Sequence, residues 1–373
     1  SNPIRISPIK GIASYSGTLY ILGDGRLSLL DGPVLFRDPI DWGAFATDTT
    51  RDILSQGSRL CITTNRGLAE LRGMALTTLD GDDGLPYEDT TCLATGFQGD
   101  LWIGTTTGAI RQVGDEFHYF GANLWLPGDT VHDIAVADKS VYIATDKGLG
   151  IIHYEPYTLR KKADYFEKRM EQWGHIRLGF AHKIYWGGEE KGWLREISDN
   201  DGGHTAHYLA AMCYKYAVTG DPKDRAKAVD AFEAMVWLDE ITPKDGFIAR
   251  SIWSVEGDVG KLATQGSGGL PAKWYETDDG KWVWKGDTSS DEVNSHFYAV
   301  SLFHDLVAKG KEKARAVKHL TNISTHIMEN GWVLRDMDGE PTRWGRWDPE
   351  YLLQPYGHSS AGLNGMEAQT YMM

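Results

Sequence analysis

The feature that most constrains this chain is a repeat of about 41 residues in its first 150 positions. Four related segments begin at Leu19, Leu60, Leu101 and Val141, so their spacings are 41, 41 and 40 residues. Each segment alternates apolar and polar residues, as in LYILGDGRLSLL and LWIGTTTGAIRQV, and turns rich in Gly or Asp separate the runs. Alternation of this kind predicts short antiparallel strands, and a period near forty is typical of propeller blades. We therefore predict β-propeller blades over residues 1–154.

One unit of the repeat matches a known pattern. The passage from Asp83 to Val113 contains Gly84-Leu85-Pro86, then Gly99, then LWIGT from Leu101, and Gly108. With this order and spacing it resembles the two-component-regulator propeller repeat. The resemblance extends over roughly residues 7–154 and implies one blade for each unit.

The pattern changes to helical spacing after residue 154. Helices are predicted over Thr158–Gly174, 204–220, after Asp221-Pro222, over about 290–309, over about 312–330 and over Ala361–Met373. A strand hairpin is predicted between Ile184 and Ile197. Paired helices joined by short turns, with long loops between the pairs, are typical of an (α/α) toroid. We therefore expect residues 155–373 to form an (α/α) toroid domain built from helical hairpins that is incomplete in this chain.

Charge and hydropathy exclude several classes of partner. The 38 basic and 52 acidic residues give a net charge of −14, which disfavours nucleic acid and an anionic membrane surface as partners. No apolar run is long enough to span a membrane, and the first ten residues lack the apolar core of a signal peptide.

Metal ligation is likewise not indicated. The three cysteines lack metal-binding spacing, and the acidic run at Asp80, Asp82 and Asp83 lacks the EF-hand pattern. No metal site is predicted and no motif defines a cofactor, although a divalent cation is compatible with the chemistry considered below. The oligomeric state is left open.

Three stretches of the second domain resemble bacterial polysaccharide-degrading enzymes that carry a regulator-type propeller before an (α/α) toroid. They are SDNDGGHTAHYLAAMCYKYAVTGD, GDTSSDEVNSHFYAVSLFHDLV, and TRWGRWDPEYL followed by GLNGMEAQTYM. The family they resemble is the L-rhamnose-α-1,4-D-glucuronate lyases. This resemblance implies a periplasmic or extracellular polysaccharide lyase that cleaves a uronic-acid-containing glycan by β-elimination, with an acidic polysaccharide or oligosaccharide as its partner.

A uronate lyase must neutralise the substrate carboxylate, remove the C5 proton and protonate the leaving oxygen. Side chains suited to these tasks stand near predicted helix starts. The candidate catalytic residues are His204, His207, Asp287, His296, Tyr356 and His358. The candidate substrate-binding residues are Arg250, Trp253, Arg343, Trp344, Arg346, Trp347, Asn364 and Glu367, since arginine binds carboxylates bidentately and aromatic faces stack on sugar rings. Core packing and surface ion pairs are equally open explanations for these residues.

The stretch from Gly286 to His304 is predicted to be the centre of the site. Ser289 and Glu292 fit a capping box, so we assign both to helix initiation, whereas Asp287 and His296 remain candidates for chemistry. Two other functions stay open. One is a glycoside hydrolase that uses Asp287 or Asp291 with Glu367. The other is a non-enzymatic glycan sensor, because the propeller repeat is typical of bacterial ligand-sensing regions.

Overall fold

The structure is a computed structural model that describes residues 8–31, 35–37, 42, 47, 49–73, 75–197, 199–256, 261–262 and 273–371. The chain divides into two compact units, Ser1–Tyr157 and Thr158–Met373. No helix within the described ranges is both long and apolar enough to cross a membrane.

The first unit consists of successive antiparallel sheets in which neighbouring strands are consecutive in the chain. The first sheet has β1 Ile9–Tyr15, β2 Thr18–Gly23, β3 Arg26–Asp31 and β4 Leu35–Arg37; the second has β5 Thr50–Gln56, β6 Arg59–Thr64, β7 Gly67–Arg72 and β8 Ala75–Leu79; the third has β9 Thr90–Thr95, β10 Leu101–Thr105, β11 Gly108–Val113 and β12 Glu116–Phe120; the fourth has β13 Val131–Ala137, β14 Ser140–Thr145 and β15 Gly148–His153. Each sheet contains one copy of the repeat, which confirms the predicted blades.

Neighbouring blades are held together by apolar packing and by threonine hydroxyls. Trp102 and Ile103 of β10 are fully buried, in clusters shared with the adjacent sheets. Thr90, the first residue of β9, donates its hydroxyl to the Thr64 carbonyl at 2.9 Å and accepts from the Thr64 amide at 2.9 Å. These two bonds fasten the third sheet to the end of β6 in the second.

The second unit is mainly helical. Its helices are α1 Leu159–Gln172, α2 Asp201–Thr219, α3 Pro222–Glu240, α4 Ser290–Leu306, α5 Lys311–Glu329, α6 Pro349–Leu352 and α7 Ala361–Tyr371. Its strands are β16 Ile176–Arg177, β17 Phe180–Ala181, β18 Ile184–Trp186, β19 Trp193–Ile197, β20 Ser251–Ser254, β21 Lys261–Leu262, β22 Trp274–Glu276, β23 Trp282–Lys285, β24 Val333–Arg335 and β25 Pro341–Arg346.

Two helical hairpins form the centre of this unit. The turn at Gly220 joins α2 to α3, a second short turn joins α4 to α5, and α2 packs against both α3 and α4. Phe232 of α3 stacks on Phe303 of α4 with ring centroids 4.1 Å apart and an angle of 10°. The predicted arrangement of blades followed by helical hairpins is therefore confirmed.

The strands of the second unit connect the end of one hairpin to the beginning of the next helix. The segment with β20, β22 and β23 leads from α3 into α4, and the β24–β25 hairpin follows α5. The Asp201 amide at the start of α2 donates to the Arg250 carbonyl at 3.2 Å, and the Arg250 amide donates to the Lys285 carbonyl at 2.7 Å. These bonds gather the loops around the amino ends of α2 and α4.

Several predicted boundaries need correction. Helix α4 ends at Leu306 rather than near 309, because the chain turns at Val307, and α1 ends at Gln172. The last helix is described to Tyr371, and the predicted positions Met372 and Met373 lie outside the described residues.

The predicted capping box at the start of α4 is wrong. The Ser289 side chain makes no capping hydrogen bond, and its buried hydroxyl has no hydrogen-bond partner in the described part of the chain. The Glu292 carboxylate accepts instead from the amide of Gly203, a residue of α2. A tertiary partner has therefore replaced the local one that the sequence pattern indicated.

Two alanine substitutions separate the cap that forms from the cap that does not. The Asp221 side chain accepts from the Lys223 amide at 2.8 Å at the start of α3. We expect Asp221→Ala to lower the free energy of unfolding by about 1 kcal/mol. Ser289→Ala removes a buried hydroxyl without a partner and is expected to leave stability unchanged or higher. Denaturant unfolding of both variants measures the contrast, and equal losses would contradict it.

Candidate functional site

The amino ends of α2 and α4 meet through a carboxyl group. Both oxygens of Glu292 lie 3.1 Å from the Gly203 amide nitrogen, which donates to them. A Cβ on Gly202 would lie 2.6 Å from Glu292 Oε2, and one on Gly203 would lie 2.7 Å from Oε1. The two glycines therefore leave the space into which the carboxyl group fits.

Burial dominates the electrostatics of this carboxyl group. Glu292 is 1% exposed, and burial raises its pKa well above the ordinary range of glutamate. The Arg250 charge and the Gly203 amide lower the pKa, and the charges of Asp291 and Asp201 raise it, but burial is the largest effect. Glu292 is thus favoured in its neutral form beneath the start of α2.

Asp287 lies in the loop just before α4 and holds Arg343. Its Oδ1 accepts from the Arg343 amide at 2.9 Å and its Oδ2 accepts from Arg343 Nε at 2.6 Å, with a further contact from Nη2. Asp287 is 2% exposed and has a φ of +56°, a backbone conformation uncommon for residues other than glycine. The fork of bonds fixes the guanidinium plane of Arg343, whose side chain is 26% exposed.

Arg250 is a buried residue that connects two loops of this region by hydrogen bonds. Its Nε donates to the Asp199 carbonyl at 2.9 Å, and its Nη1 donates to the Asp287 carbonyl at 3.2 Å. Lys285, also buried, pairs with the Asp199 carboxylate. Arg250 therefore links the residues preceding α2 to the residues preceding α4.

The two predicted histidines of α2 differ in exposure. His207 is exposed, and its Nδ1 lies 2.9 Å from the Gly203 carbonyl. Because a carbonyl oxygen only accepts, Nδ1 carries the proton in the neutral ring and Nε2 keeps its lone pair. His204 is half-buried on the preceding turn, and its amide donates to the Asn200 carbonyl at 3.0 Å.

Three aromatic residues of the second unit keep part of their surface exposed. Trp344 follows Arg343 in β25, is half-buried, and lies with its ring centroid 5.7 Å from that of Tyr356, which is 61% exposed. Trp253 is half-buried in β20 opposite Val283. All three rings therefore keep surface accessible for stacking, and those of Trp344 and Tyr356 lie close together.

The other predicted site residues are paired with a neighbour, buried in the packing around α7, or exposed on the turn before it. Arg346 forms two bonds to Asp348, at 2.8 and 2.9 Å, and lies over the Tyr351 ring. Trp347, Asn364 and Glu367 are buried, and Trp347 Nε1 donates to Glu367 Oε2 at 3.0 Å. His358 is exposed on a short turn before α7. Their contacts place Trp347, Asn364 and Glu367 in the packing around α7.

His296 is fully buried one turn inside α4. Its Nδ1 lies 2.8 Å from His319 Nε2, and Asp239 Oδ2 lies 3.4 Å from His319 Nδ1. Burial, followed by the neighbouring His319, lowers the pKa of His296 well below its ordinary value. Sequence reasoning assigned Glu292 to a helix cap and did not single out His319 or Asp239. The spacing of Glu292 and His296, four residues apart on one helix face, was an available signal, whereas nothing local pointed to His319 or Asp239.

The described part of the second unit also contains two clefts that the predicted site residues do not line. One of about 560 Å³ is lined by Tyr208, Trp237 and Arg315 among others, and one of about 950 Å³ lies between α4 and α5. The described part of the chain contains no group of three or more His, Cys, Asp or Glu side chains arranged to hold a metal ion.

Comparisons with known proteins give distant likeness only. No protein-family model matches the chain, and no curated protein matches it significantly. The extracellular domain of the putative one component system BT4673 from B. thetaiotaomicron is 19% identical with a TM-score of 0.34, over 40% of this chain and 22% of that one. The extracellular domain of the putative hybrid two component system BT3049 from the same organism is 14% identical with a TM-score of 0.36, over 52% and 28%. Virginiamycin B lyase from Staphylococcus aureus is 11% identical with a TM-score of 0.29, over 40% and 55%.

The chain thus spans about a quarter of the length of the two extracellular domains. Likeness at these scores carries no information about function, which has to be inferred from the site itself.

Proposed function

We propose that the second unit is a polysaccharide lyase that cleaves a uronic-acid-containing glycan by β-elimination at the amino ends of α2 and α4. The observation that carries the proposal is the exposed imidazole of His207, whose tautomer is fixed with a basic Nε2, on the same helical turn that the Glu292 carboxyl group anchors. A base with a lone pair at neutral pH is the first requirement for removing the C5 proton of a uronate.

A carboxylate-binding group supports the same chemistry. The C5 proton becomes acidic only when the adjacent carboxylate is neutralised, and a guanidinium group does this with bidentate geometry. Asp287 orients the partly exposed Arg343, so an incoming uronate would share Arg343 with an existing carboxylate. The rings of Trp344 and Tyr356 offer stacking surfaces to the neighbouring sugars.

The proposed step balances as an elimination. His207 Nε2 takes the C5 proton, the electron pair forms the C4–C5 double bond, and the C4–O bond breaks. The leaving oxygen takes a proton from an acid, a role that the proposal gives to the exposed phenol of Tyr356. The proposal includes as substrate an acidic glycan whose glucuronate carries a glycosyl group on O4, which is the leaving group, and it includes a periplasmic or extracellular location.

The direct test is incubation with glucuronate-containing glycans while the absorbance of an unsaturated uronate is followed. We expect the chromophore to appear, and we expect His207→Gln to lower kcat/KM by about 100-fold or more. His304→Gln is the matched control, because His304 lies at the opposite end of α4 and pairs with Asp305. It is expected to retain activity.

Three results would contradict the lyase proposal. Cleavage without the chromophore would indicate hydrolysis, and binding without cleavage would indicate a sensor. Equal activity of the His207→Gln and His304→Gln variants would remove His207 from the chemistry.

A further inference from the structure

A chain of three buried side chains runs through the interior of the second unit. Asp239 of α3, His319 of α5 and His296 of α4 are 5%, 2% and 0% exposed. The Asp239 carboxylate lies 3.4 Å from His319 Nδ1, and His319 Nε2 lies 2.8 Å from His296 Nδ1. Three different helices thus contribute one polar group each to a single line of contacts.

The partners of Asp239 determine which ring nitrogens of His319 and His296 carry a proton. Asp239 Oδ1 accepts from the Gly246 amide at 2.7 Å, which leaves Oδ2 facing His319. His319 Nδ1 makes no hydrogen bond within the described residues, but the carboxylate oxygen 3.4 Å away favours a proton on this ring nitrogen by electrostatic attraction. His319 Nε2 is then an acceptor, and it takes the Nδ1 proton of His296. Both neutral imidazoles therefore carry their protons on Nδ1.

The line of contacts from Asp239 through His319 ends at His296, next to Gly202 of α2. His296 Nε2 is buried and makes no hydrogen bond to any residue that the structure describes. A Cβ on Gly202 would lie 3.0 Å from this nitrogen and 2.6 Å from Glu292 Oε2, so both atoms border the same small space in front of Gly202. With the tautomer assigned above, the atom that His296 presents to this space is a nitrogen lone pair.

We propose that Asp239 and His319 hold His296 as the Nδ1–H tautomer, so that its unprotonated Nε2 borders the space that Glu292 Oε2 also borders and offers no proton to an ionised carboxyl group there. The three residues are positioning residues. They act through Glu292 on Gly203, whose carbonyl holds His207. The inference depends only on the buried geometry and holds whatever the site binds.

The other charged groups around Glu292 do not replace this contribution. Asp201 and Asp291 oppose its ionisation, whereas Arg250 and the Gly203 amide favour it. Within the described residues, the ionisable group in contact with His296 is His319, on α5, and His319 in turn lies beside Asp239, on α3. An unprotonated His296 Nε2 near the carboxyl group of Glu292 disfavours the ionised form of that group and so favours its protonated form.

The wild-type protein gives the first test. Two-bond ¹H–¹⁵N spectra of protein labelled at histidine distinguish a protonated ring nitrogen from an unprotonated one, and His296→Gln and His319→Gln spectra assign the two rings. We expect unprotonated Nε2 and protonated Nδ1 in both rings between about pH 6 and about pH 8. A protonated Nε2 in either ring would overturn the proposal.

Asp239→Asn gives the second test. The asparagine oxygen is retained by the Gly246 amide, so the amide nitrogen faces His319 Nδ1 and requires the opposite tautomer. We expect both rings to move their protons to Nε2. We also expect the titration of Glu292, followed by carboxyl ¹³C shifts and assigned with Glu292→Gln, to move to lower pH.

Asp224→Asn is the matched control, since Asp224 is a buried aspartate of the same helix that binds Thr219 and Lys215. It is expected to leave both tautomers and the Glu292 titration unchanged. Unchanged tautomers in Asp239→Asn, or flipped tautomers with an unchanged Glu292 titration, would refute the coupling. If Asp239→Asn does not fold, the wild-type spectra still test the predicted tautomers of His296 and His319.

Discussion

Replacing Gly246 with alanine is expected to lower the free energy of unfolding by about 3 to 5 kcal/mol. Gly246 has a φ of +78°, and a Cβ at this position would lie 2.1 Å from the Asn322 carbonyl oxygen and 2.4 Å from its carbon. These are backbone atoms of α5, so relief requires the loop and the helix to separate. That movement would also withdraw the Gly246 amide from Asp239.

The Gly220→Ala variant measures the cost of backbone strain without a steric clash. Gly220 ends α2 with a φ of +64°, but a Cβ there would meet nothing within 4 Å. We expect this control to cost about 1 kcal/mol. Tryptophan fluorescence during denaturant unfolding measures both variants in the second unit, because 11 of the 14 tryptophans follow residue 155. Similar losses for the two variants would show that Gly246 is not closely packed.

The parts of the fold that sequence predicts are those that local patterns determine. The blades follow from apolar alternation between turns, and each repeated segment forms consecutive strands of one sheet. The start of α3 follows from Asp221 and Pro222, because a capping side chain and a proline act within one turn. In these cases the interacting atoms are close in the sequence as well as in space.

The candidate site shows where local reasoning fails. Ser289 and Glu292 have capping-box spacing, but the Glu292 partner is Gly203, which lies 89 positions earlier in the chain. The Asp287–Arg343 contact joins residues 56 positions apart, and the His296–His319 contact joins residues 23 apart. Residue types at helix starts predicted a site in these loops. The pairing of those residues depends on helix packing, which no single stretch of sequence contains.

The buried and exposed parts of the region differ in what they contribute. Glu292, His296 and Asp287 have almost no exposed surface, whereas His207, Tyr356 and part of Arg343 reach the solvent. The buried groups hold the exposed ones through Gly203 and through the Asp287–Arg343 fork. Substitutions of the buried set should therefore change stability and pH dependence as well as any activity.

The Glu292→Gln variant is expected to become progressively more stable than the wild type as the pH rises above about 4.3, the ordinary pKa of glutamate. Burial raises the pKa of Glu292 well above that value, so between the two pKa values the folded protein keeps a proton that the unfolded chain has lost. The wild-type free energy of unfolding should then fall by about 1.4 kcal/mol for each pH unit in this window. A glutamine accepts from the Gly203 amide without titrating, so this loss disappears.

The measurement is the free energy of unfolding of both proteins from about pH 4 to about pH 8. Glu312→Gln is a control of opposite sign. Burial pulls the pKa of Glu312 upward, but the Arg225 guanidinium and the Lys309 amide outweigh burial and lower it. Glu312 therefore stabilises the folded protein above its unfolded pKa, and its glutamine variant should lose stability relative to the wild type as the pH rises from acid. If Glu292→Gln followed the same direction as Glu312→Gln, Glu292 would be ionised in the folded protein, and a neutral carboxyl group beneath α2 would be ruled out.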